Sequence, residues 1–231
     1  MKINEIQRLE PKDVTTSTDE IKVKNYGSLK TKPLPGGAGY VYAEVQNGPM
    51  YDIYIIDPDK PSSKPTENGK PTPGLCVAQM QLLKDATFPD PKAYSVKFVE
   101  VIDAYKSRGL GKALYGVALY LSKLTLIAGD KQTPSGRKQW VSLTKINGVE
   151  VKGYVMVEAY ATDDEDLIDS IESDLYAERI GKGKYGEIYF SFDLKYNGTE
   201  LESDPPSKIN LYSNEEQIDD YVVGMFAKWK S

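Results

Sequence analysis

Four short runs rich in apolar and β-branched residues follow one another between Tyr40 and Ile102. The first two runs, YVYAEV and YDIYII, are divided by NGPM, which favours a hairpin between two antiparallel strands. In the fourth run, apolar and charged residues alternate with the period of a strand. A Pro-rich insert, residues 57–74, is typical of a surface loop. The pattern predicts strands at residues 40–45, 51–56, 75–83 and 93–102.

The period then changes from that of a strand to that of a helix. An apolar stripe with helical spacing comprises Leu110, Leu114, Val117, Ala118 and Leu121. Leu124 to Ala128 reads as a short apolar strand, and GDKQTPSGRKQWVSL as a turn followed by a helix with Thr133 as its N-cap. The predicted order is therefore β-β-β-β-α-β-α.

Beyond Leu143, two strand-like runs, VEVKGYVMVEAY and KYGEIYFSFDLKY, enclose an acidic segment from Asp163 to Glu178. This segment has eight carboxylates and no basic residue, yet its apolar residues keep helical spacing. It predicts an amphipathic helix whose outer face is either solvated or a docking face for a cationic partner. We expect three parts: a polar N-terminal arm at 1–39, a core at 40–145, and C-terminal strands with the acidic helix at 146–231.

The composition excludes several kinds of site. The chain of 231 residues has one cysteine, Cys76, and no histidine, so the ordinary zinc sites, Cys-His nucleophiles and Ser-His-Asp triads cannot be built, and we expect no metal. A net charge of -5 argues against a nucleic-acid partner. No run reaches the roughly 18 apolar residues of a membrane helix, and we expect a soluble, cytoplasmic protein that binds no membrane.

The segment VEVIDAYKSRGLGKALYG, residues 99–116, carries the most chemical information. Gly109 and Gly111 let an anion approach the peptide N–H groups at the start of a helix, whose dipole favours negative charge. Lys106, Arg108 and Lys112 surround those groups with mobile cations. The turn suits a diphosphate, although it is no Walker A motif and lacks the third glycine of the dinucleotide fingerprint.

The same segment resembles motif A of the GNAT superfamily of N-acetyltransferases, whose pattern is V-x-P-x-x-[RQ]-x-x-G-x-[GA]. Val101, Lys106, Gly109 and Gly111 fall in order, with Lys106 where Arg or Gln is usual and Asp103 where Pro is common. The resemblance covers about residues 40–145 and is strongest to divergent members in tailed bacteriophages. It implies an α+β, GNAT-like fold: a mixed, mostly antiparallel sheet flanked by helices, here with a C-terminal extension.

The resemblance implies that acetyl-coenzyme A lies in a V opened between the fourth and fifth strands. Main-chain groups of Val99 and Val101 would bind the pantetheine arm, and the backbone from Ser107 to Lys112 would cradle the diphosphate. Lys106, Arg108 and Lys112 would then be electrostatic helpers. The implied coenzyme-binding residues are Val99, Val101, Lys106, Ser107, Arg108, Gly109, Leu110, Gly111 and Lys112.

The implied reaction is direct attack of an amine on the thioester, which needs a base, an oxyanion donor and an acid for the leaving thiolate. Glu100 is the candidate base, unless it pairs with Lys97 as ordinary surface charge. Asp130 is a second candidate, with helix capping or turn formation as its alternative. Trp140 stands where many relatives have a Tyr acid, and favours packing over proton transfer.

The expected acceptor is an amine-bearing small molecule, or a lysine or N-terminus of a protein. The alternative is a catalytically degenerate coenzyme-A-binding interaction module, or a structural protein that binds no coenzyme.

Overall fold

The computed structural model describes residues 21, 23, 29–62, 73–129, 134–203 and 221–230. The fold is mixed α+β, with a mostly antiparallel sheet and few helices. The chain divides into two compact units, Met1–Lys84 with Val96–Ser122, and Asp85–Ser95 with Lys123–Ser231.

The first unit is an antiparallel sheet that carries one helical segment. The predicted hairpin is confirmed, since β2 and β3 pair in antiparallel register from Val41 opposite Ile56 to Asn47 opposite Met50. The edge strand β1 falls within the predicted polar arm, whose residues 1–20 lie outside the described part of the chain. The strands in sheet order are β1 (Thr31–Pro33), β2 (Val41–Asn47), β3 (Met50–Asp57), β4 (Leu75–Lys84) and β5 (Ala93–Val101), the last of which begins in the second unit.

The predicted helical stripe forms one continuous helical segment with two geometries. An α-helix, α1 (Leu110–Gly116), leads directly into a π-helical turn at Val117–Leu121. The wider turn is marked by the hydrogen bond from the Ser122 N–H to the Val117 carbonyl, at 2.9 Å. Leu110, Leu114, Val117 and Ala118 of the stripe are buried.

The second unit holds the remaining sheet and two helices. The predicted strand at 124–128 is present as β6, which pairs in parallel with the start of β5, Ala93–Ser95 opposite Thr125–Ile127. The sheet order is β6-β11-β7-β9-β10, with β8 also on β9. The elements are β6 (Thr125–Ile127), α2 (Pro134–Leu143), β7 (Val149–Val157), α3 (Glu165–Leu175), β8 (Glu178–Lys182), β9 (Ile188–Tyr196), β10 (Leu201–Ser203) and β11 (Tyr221–Trp229).

Aromatic side chains fill the core of this unit. The Phe88 ring contacts the rings of Tyr154, Tyr189 and Phe226 at centroid distances of 5.6, 5.2 and 5.4 Å. Gly224 of β11 leaves room for one of these rings, because a Cβ there would come within 2.7 Å of Tyr154. Side-chain size on β11 is therefore limited by its neighbour β7, which pairs with it over nine residues.

The acidic helix α3 forms as the spacing predicts. Ile171 and Leu175 are buried, and Leu167 and Ile168 are half-buried. The eight carboxylates between Asp163 and Glu178 are all exposed. In the described part of the chain, no helix has both the length and the apolar character to cross a membrane.

Candidate functional site

The turn that precedes α1 has two residues in the left-handed backbone region. A short 3-10 turn at Asp103–Tyr105 follows β5, after which Ser107 has φ 63° and Gly109 has φ 79°. Gly109 is the N-cap of α1, and a Cβ would be strained at that φ, which accounts for glycine there. The change from left-handed Gly109 to the right-handed helix turns adjacent N–H groups toward one side, as in an anion-binding nest.

The N–H groups from Ser107 to Gly111 have no acceptor among the described residues. The first described bond inside the helix runs from the Ala113 N–H to the Gly109 carbonyl, at 3.0 Å. No side chain caps the helix at Gly109, and no acidic residue lies in its first turn. A row of peptide donors at the positive end of a helix is therefore left for water or a ligand.

Arg108 differs from the mobile cation that its sequence position suggested. The side chain is only 8% exposed. Its guanidinium stacks 4.5 Å from the centre of the Tyr105 ring and donates hydrogen bonds to the Tyr40 hydroxyl (3.3 Å) and the Ala104 carbonyl (3.1 Å). No carboxylate pairs with it among the described residues. Its positive charge is fixed beneath the turn rather than free to follow a ligand.

Tyr105 fastens the same turn to the sheet. Its hydroxyl donates to Asp57 Oδ2 at the end of β3 (3.0 Å), while Asp57 Oδ1 accepts the Asp59 N–H (3.1 Å). Its ring meets Tyr40 edge-on, with centroids 6.3 Å apart. Burial, with the bond to Asp57, raises the pKa of Tyr105, so the hydroxyl stays a donor. The turn is thus anchored through Tyr105 to Asp57 and through Arg108 to Tyr40.

The two lysines of the motif lie nearer the surface. Lys106 is exposed and forms an ion pair with Asp103, the residue that replaces the usual proline. Lys112 is half-buried in the first turn of α1. Both are near enough in sequence to the row of N–H groups to add positive potential there, with exposed Lys106 screened by salt.

The far end of the helical segment is tied to β2 by Glu44. Its carboxylate accepts hydrogen bonds from the Ser122 hydroxyl, from the Tyr51 hydroxyl (2.6 Å) and from Lys32 Nζ (3.1 Å). Burial raises the pKa of Glu44, but these hydrogen bonds outweigh it and the net pKa is lowered. Glu44 thus anchors the C-terminal end of the helical segment, which we call its closed end. At the N-terminal end, the described residues provide no acceptor for the first N–H groups.

Glu100, the candidate base, is exposed on β5, and neither it nor Lys97 forms an ion pair with a described residue. The Ile102 N–H donates to the Val77 carbonyl at 3.1 Å, which pairs these residues across β5 and β4. In antiparallel strands this register brings Glu100 opposite Gln79, on the same face of the sheet. Val99 and Val101 are half-buried on β5.

Two residues suggested for chemistry or capping, Asp130 and Thr133, lie outside the described residues. Trp140 is 2% exposed, in agreement with a packing role. Tyr115 on α1 is also buried, and burial raises its pKa. Cys76 is a buried thiol on β4, as expected for a small apolar residue.

Sequence reasoning missed the residues that fix the turn: Tyr40, Asp57 and Tyr105. Tyr40 is separated from Arg108 by 68 positions, and Asp57 from Tyr105 by 48. The periodicity of apolar residues reflects only neighbours in sequence and cannot reveal such distant pairs. The one available signal was the presence of polar groups at the ends of predicted strands.

Among the described residues, no group of three or more metal-ligating side chains comes together. Comparison of the chain with protein-family models, with curated proteins and with solved structures found no match.

Proposed function

We propose that the protein is an N-acetyltransferase that transfers the acetyl group of acetyl-coenzyme A to an amine. The observation that carries the proposal is the row of N–H groups from Ser107 to Gly111, open at the start of a helix and underlain by Arg108. These donors fit the diphosphate of the coenzyme. They lie in the segment that the motif resemblance assigns to diphosphate binding.

The electrostatics of the turn favour an anion. A buried guanidinium without a carboxylate partner is costly unless negative charge arrives nearby. A helix N-terminus contributes about 0.3–1 kcal/mol to such an anion, and each hydrogen bond to a charged group about 1.5–3 kcal/mol. Because Tyr105 is bonded to Asp57 of β3 and Arg108 to Ala104 within the turn, the donors are already oriented and little entropy is lost on binding.

The strands give partial support for the rest of the coenzyme site. The parallel register of β5 with β6 covers Ala93–Ser95, three of the nine residues of β5. Val99 and Val101 lie beyond that register, where the resemblance assigns the pantetheine arm. Their main-chain groups would bind that arm as an added strand does.

Glu100 is the residue we assign as base. Its carboxylate accepts a proton from the attacking amine, directly or through water, as the new C–N bond forms at the thioester carbonyl. The tetrahedral intermediate then breaks its C–S bond, and coenzyme A leaves as a thiolate that takes a proton from water. The products are the N-acetyl amine and the free thiol.

The second candidate is a coenzyme-binding module without turnover. The presence of a buried Trp140 favours it, because many members of the superfamily that the motif resembles have a Tyr acid at the matching position, and an indole cannot protonate the sulfur. Both candidates predict coenzyme binding, and only the first predicts reaction.

Thiol release from acetyl-coenzyme A with a panel of amines separates them. We expect wild type to release the free thiol, Glu100→Gln to bind coenzyme A but react at least about tenfold more slowly, and Gly111→Trp to lose both. Binding is read from the rise in thermal midpoint with coenzyme A. A midpoint unchanged at millimolar coenzyme A contradicts both candidates, and binding with no turnover of any amine supports the module.

A further inference from the structure

A cluster of polar side chains lies buried in the sheet of the first unit. Asp52, Gln79 and Gln81 are 3%, 4% and 9% exposed. Both Gln79 Nε2 and Gln81 Nε2 donate to Asp52 Oδ1, each at 3.1 Å, and Gln79 Nε2 also reaches the Tyr54 hydroxyl at 3.4 Å. Asp52 lies opposite Gln81, and Tyr54 opposite Gln79, so the cluster occupies one face of β3 and β4.

The cluster presents hydrogen-bond acceptors, and no cationic side chain in the described part of the chain neutralises it. Both amide NH2 groups are turned to the carboxylate, since a carboxylate only accepts, and this leaves the two amide oxygens and Asp52 Oδ2 as acceptors. No Lys or Arg of the described residues pairs with Asp52. A buried carboxylate is costly until a cation compensates it.

The cluster retains a narrow access. Asp52 Oδ2 accepts no hydrogen bond from a described residue, and it is not fully shielded from solvent. Glu100, which lies opposite Gln79 on the next strand, is exposed. The exposed Glu100 and the buried cluster are therefore neighbours on one face of the sheet.

We propose that Asp52, Gln79 and Gln81 bind the second ammonium group of the acceptor, and that the acceptor is a short aliphatic diamine. This rests on the proposed function, in which the first amino group reacts beside Glu100. Strands about 4.8 Å apart, with residues about 3.4 Å apart along them, separate the Asp52 and Glu100 backbones by about 12 Å. Side chains on one face stand roughly parallel to each other, so the two carboxylates are about as far apart as their backbones. A diamine of four or five carbons, with a hydrogen bond at each end, spans that distance. An ammonium group offers three donors to the three acceptors.

The test compares putrescine with butylamine, which has the same carbon chain and no second ammonium group. We expect wild type to prefer putrescine by about tenfold or more in kcat/KM, because a charge-assisted hydrogen-bond set is lost with butylamine. Asp52→Asn should reduce that preference through KM for putrescine. Asp193→Asn, an exposed carboxylate paired with Lys152 in the second unit, should retain it.

Putrescine binding measured in the absence of coenzyme A tests the ammonium site independently of the proposed function. Calorimetry of the full chain with putrescine alone should show binding in wild type and in Asp193→Asn, and weaker binding in Gln81→Met, which preserves side-chain volume if Asp52→Asn does not fold. Equal kcat/KM for the two amines, or no putrescine binding, overturns the inference while leaving acetyl transfer intact. Putrescine binding that depends on Gln81, without any coenzyme turnover, upholds the ammonium site and overturns the proposed function.

Discussion

The helices α1 and α3 begin in opposite ways. At α3, the side chain of Asp164 accepts the Leu167 N–H at 3.0 Å, and Glu165 and Asp166 add negative charge to the first turn. At α1, glycine is the N-cap, no side chain caps the helix and the first turn has no acid. The chain itself satisfies the positive end of α3, whereas no described residue satisfies that of α1, where we propose that an anion binds.

The charges around the two helix starts also differ, being positive at α1 and negative at α3. Arg108, buried without a described carboxylate partner, lies next to the start of α1. The start of α3 is exposed and surrounded by acidic residues. A helix start becomes a candidate binding site when its donors are unused and its setting is cationic, and α1 meets both conditions.

The largest expected effect comes from giving α1 the start of α3. Gly109→Asp and Gly109→Asn both tolerate the left-handed φ of this position, and they differ only in charge. A carboxylate about 4 Å from a phosphate repels it by several kcal/mol, so Gly109→Asp should bind coenzyme A about a hundredfold more weakly than Gly109→Asn. Calorimetric titration measures this ratio, and equal affinities would show that no anion approaches Gly109.

Arg108→Met should weaken coenzyme A binding by about tenfold, because it removes the charge beneath the turn and the bonds that orient it. Lys106→Met, at an exposed side chain, should change affinity by about twofold. Arg137→Met on α2 is the matched control and should bind coenzyme A as wild type does. A larger effect at Lys106 than at Arg108 would mean that the ligand lies on the surface and not over the buried guanidinium.

Glu44 tests the closed end of the helical segment through stability. Its pKa is lowered in the folded state, so its contribution is present above the unfolded pKa near 4.5 and is lost as the pH falls through the folded pKa. Glu44→Gln should therefore reduce the free energy of unfolding by about 1–2 kcal/mol at pH 7, with the difference from wild type shrinking under more acidic conditions. Urea unfolding at pH 7 and at acidic pH measures both values, and a difference independent of pH contradicts this role.

The smallest effect is expected from Asp164→Ala, which removes the N-cap of α3. Loss of the N-cap of α3 should lower the free energy of unfolding by about 1 kcal/mol. The rise in thermal midpoint caused by coenzyme A should be unchanged, because this cap belongs to the second unit and the turn at α1 to the first. A loss of coenzyme binding in this variant would show that the two starts are not independent.

Local patterns predict much of this molecule from its sequence. The hairpin of β2 and β3, the apolar stripe of α1 and the buried face of α3 all follow from spacing, because each depends on neighbours in the chain. The glycine turn is likewise readable, since Gly109 needs a conformation that other residues avoid.

Features that depend on distant partners could not be predicted. Strand β11 lies between β6 and β7, and its central residues are buried and interrupted by Gly224, so it lacks the alternation that marks a half-buried strand. Arg108 reads as a surface cation because its partner Tyr40 is remote in sequence. The buried Asp52 cluster has the same cause, since β3 and β4 must pair before its members meet.

Amide hydrogen exchange measured by NMR tests the central claim most directly. With coenzyme A bound, the N–H groups of Ser107 to Gly111 should exchange more slowly and shift, because they donate to the diphosphate. Pantetheine, which has no diphosphate, should leave those five signals unchanged. Protection that appears elsewhere while these five amides exchange as in the free protein would contradict the account.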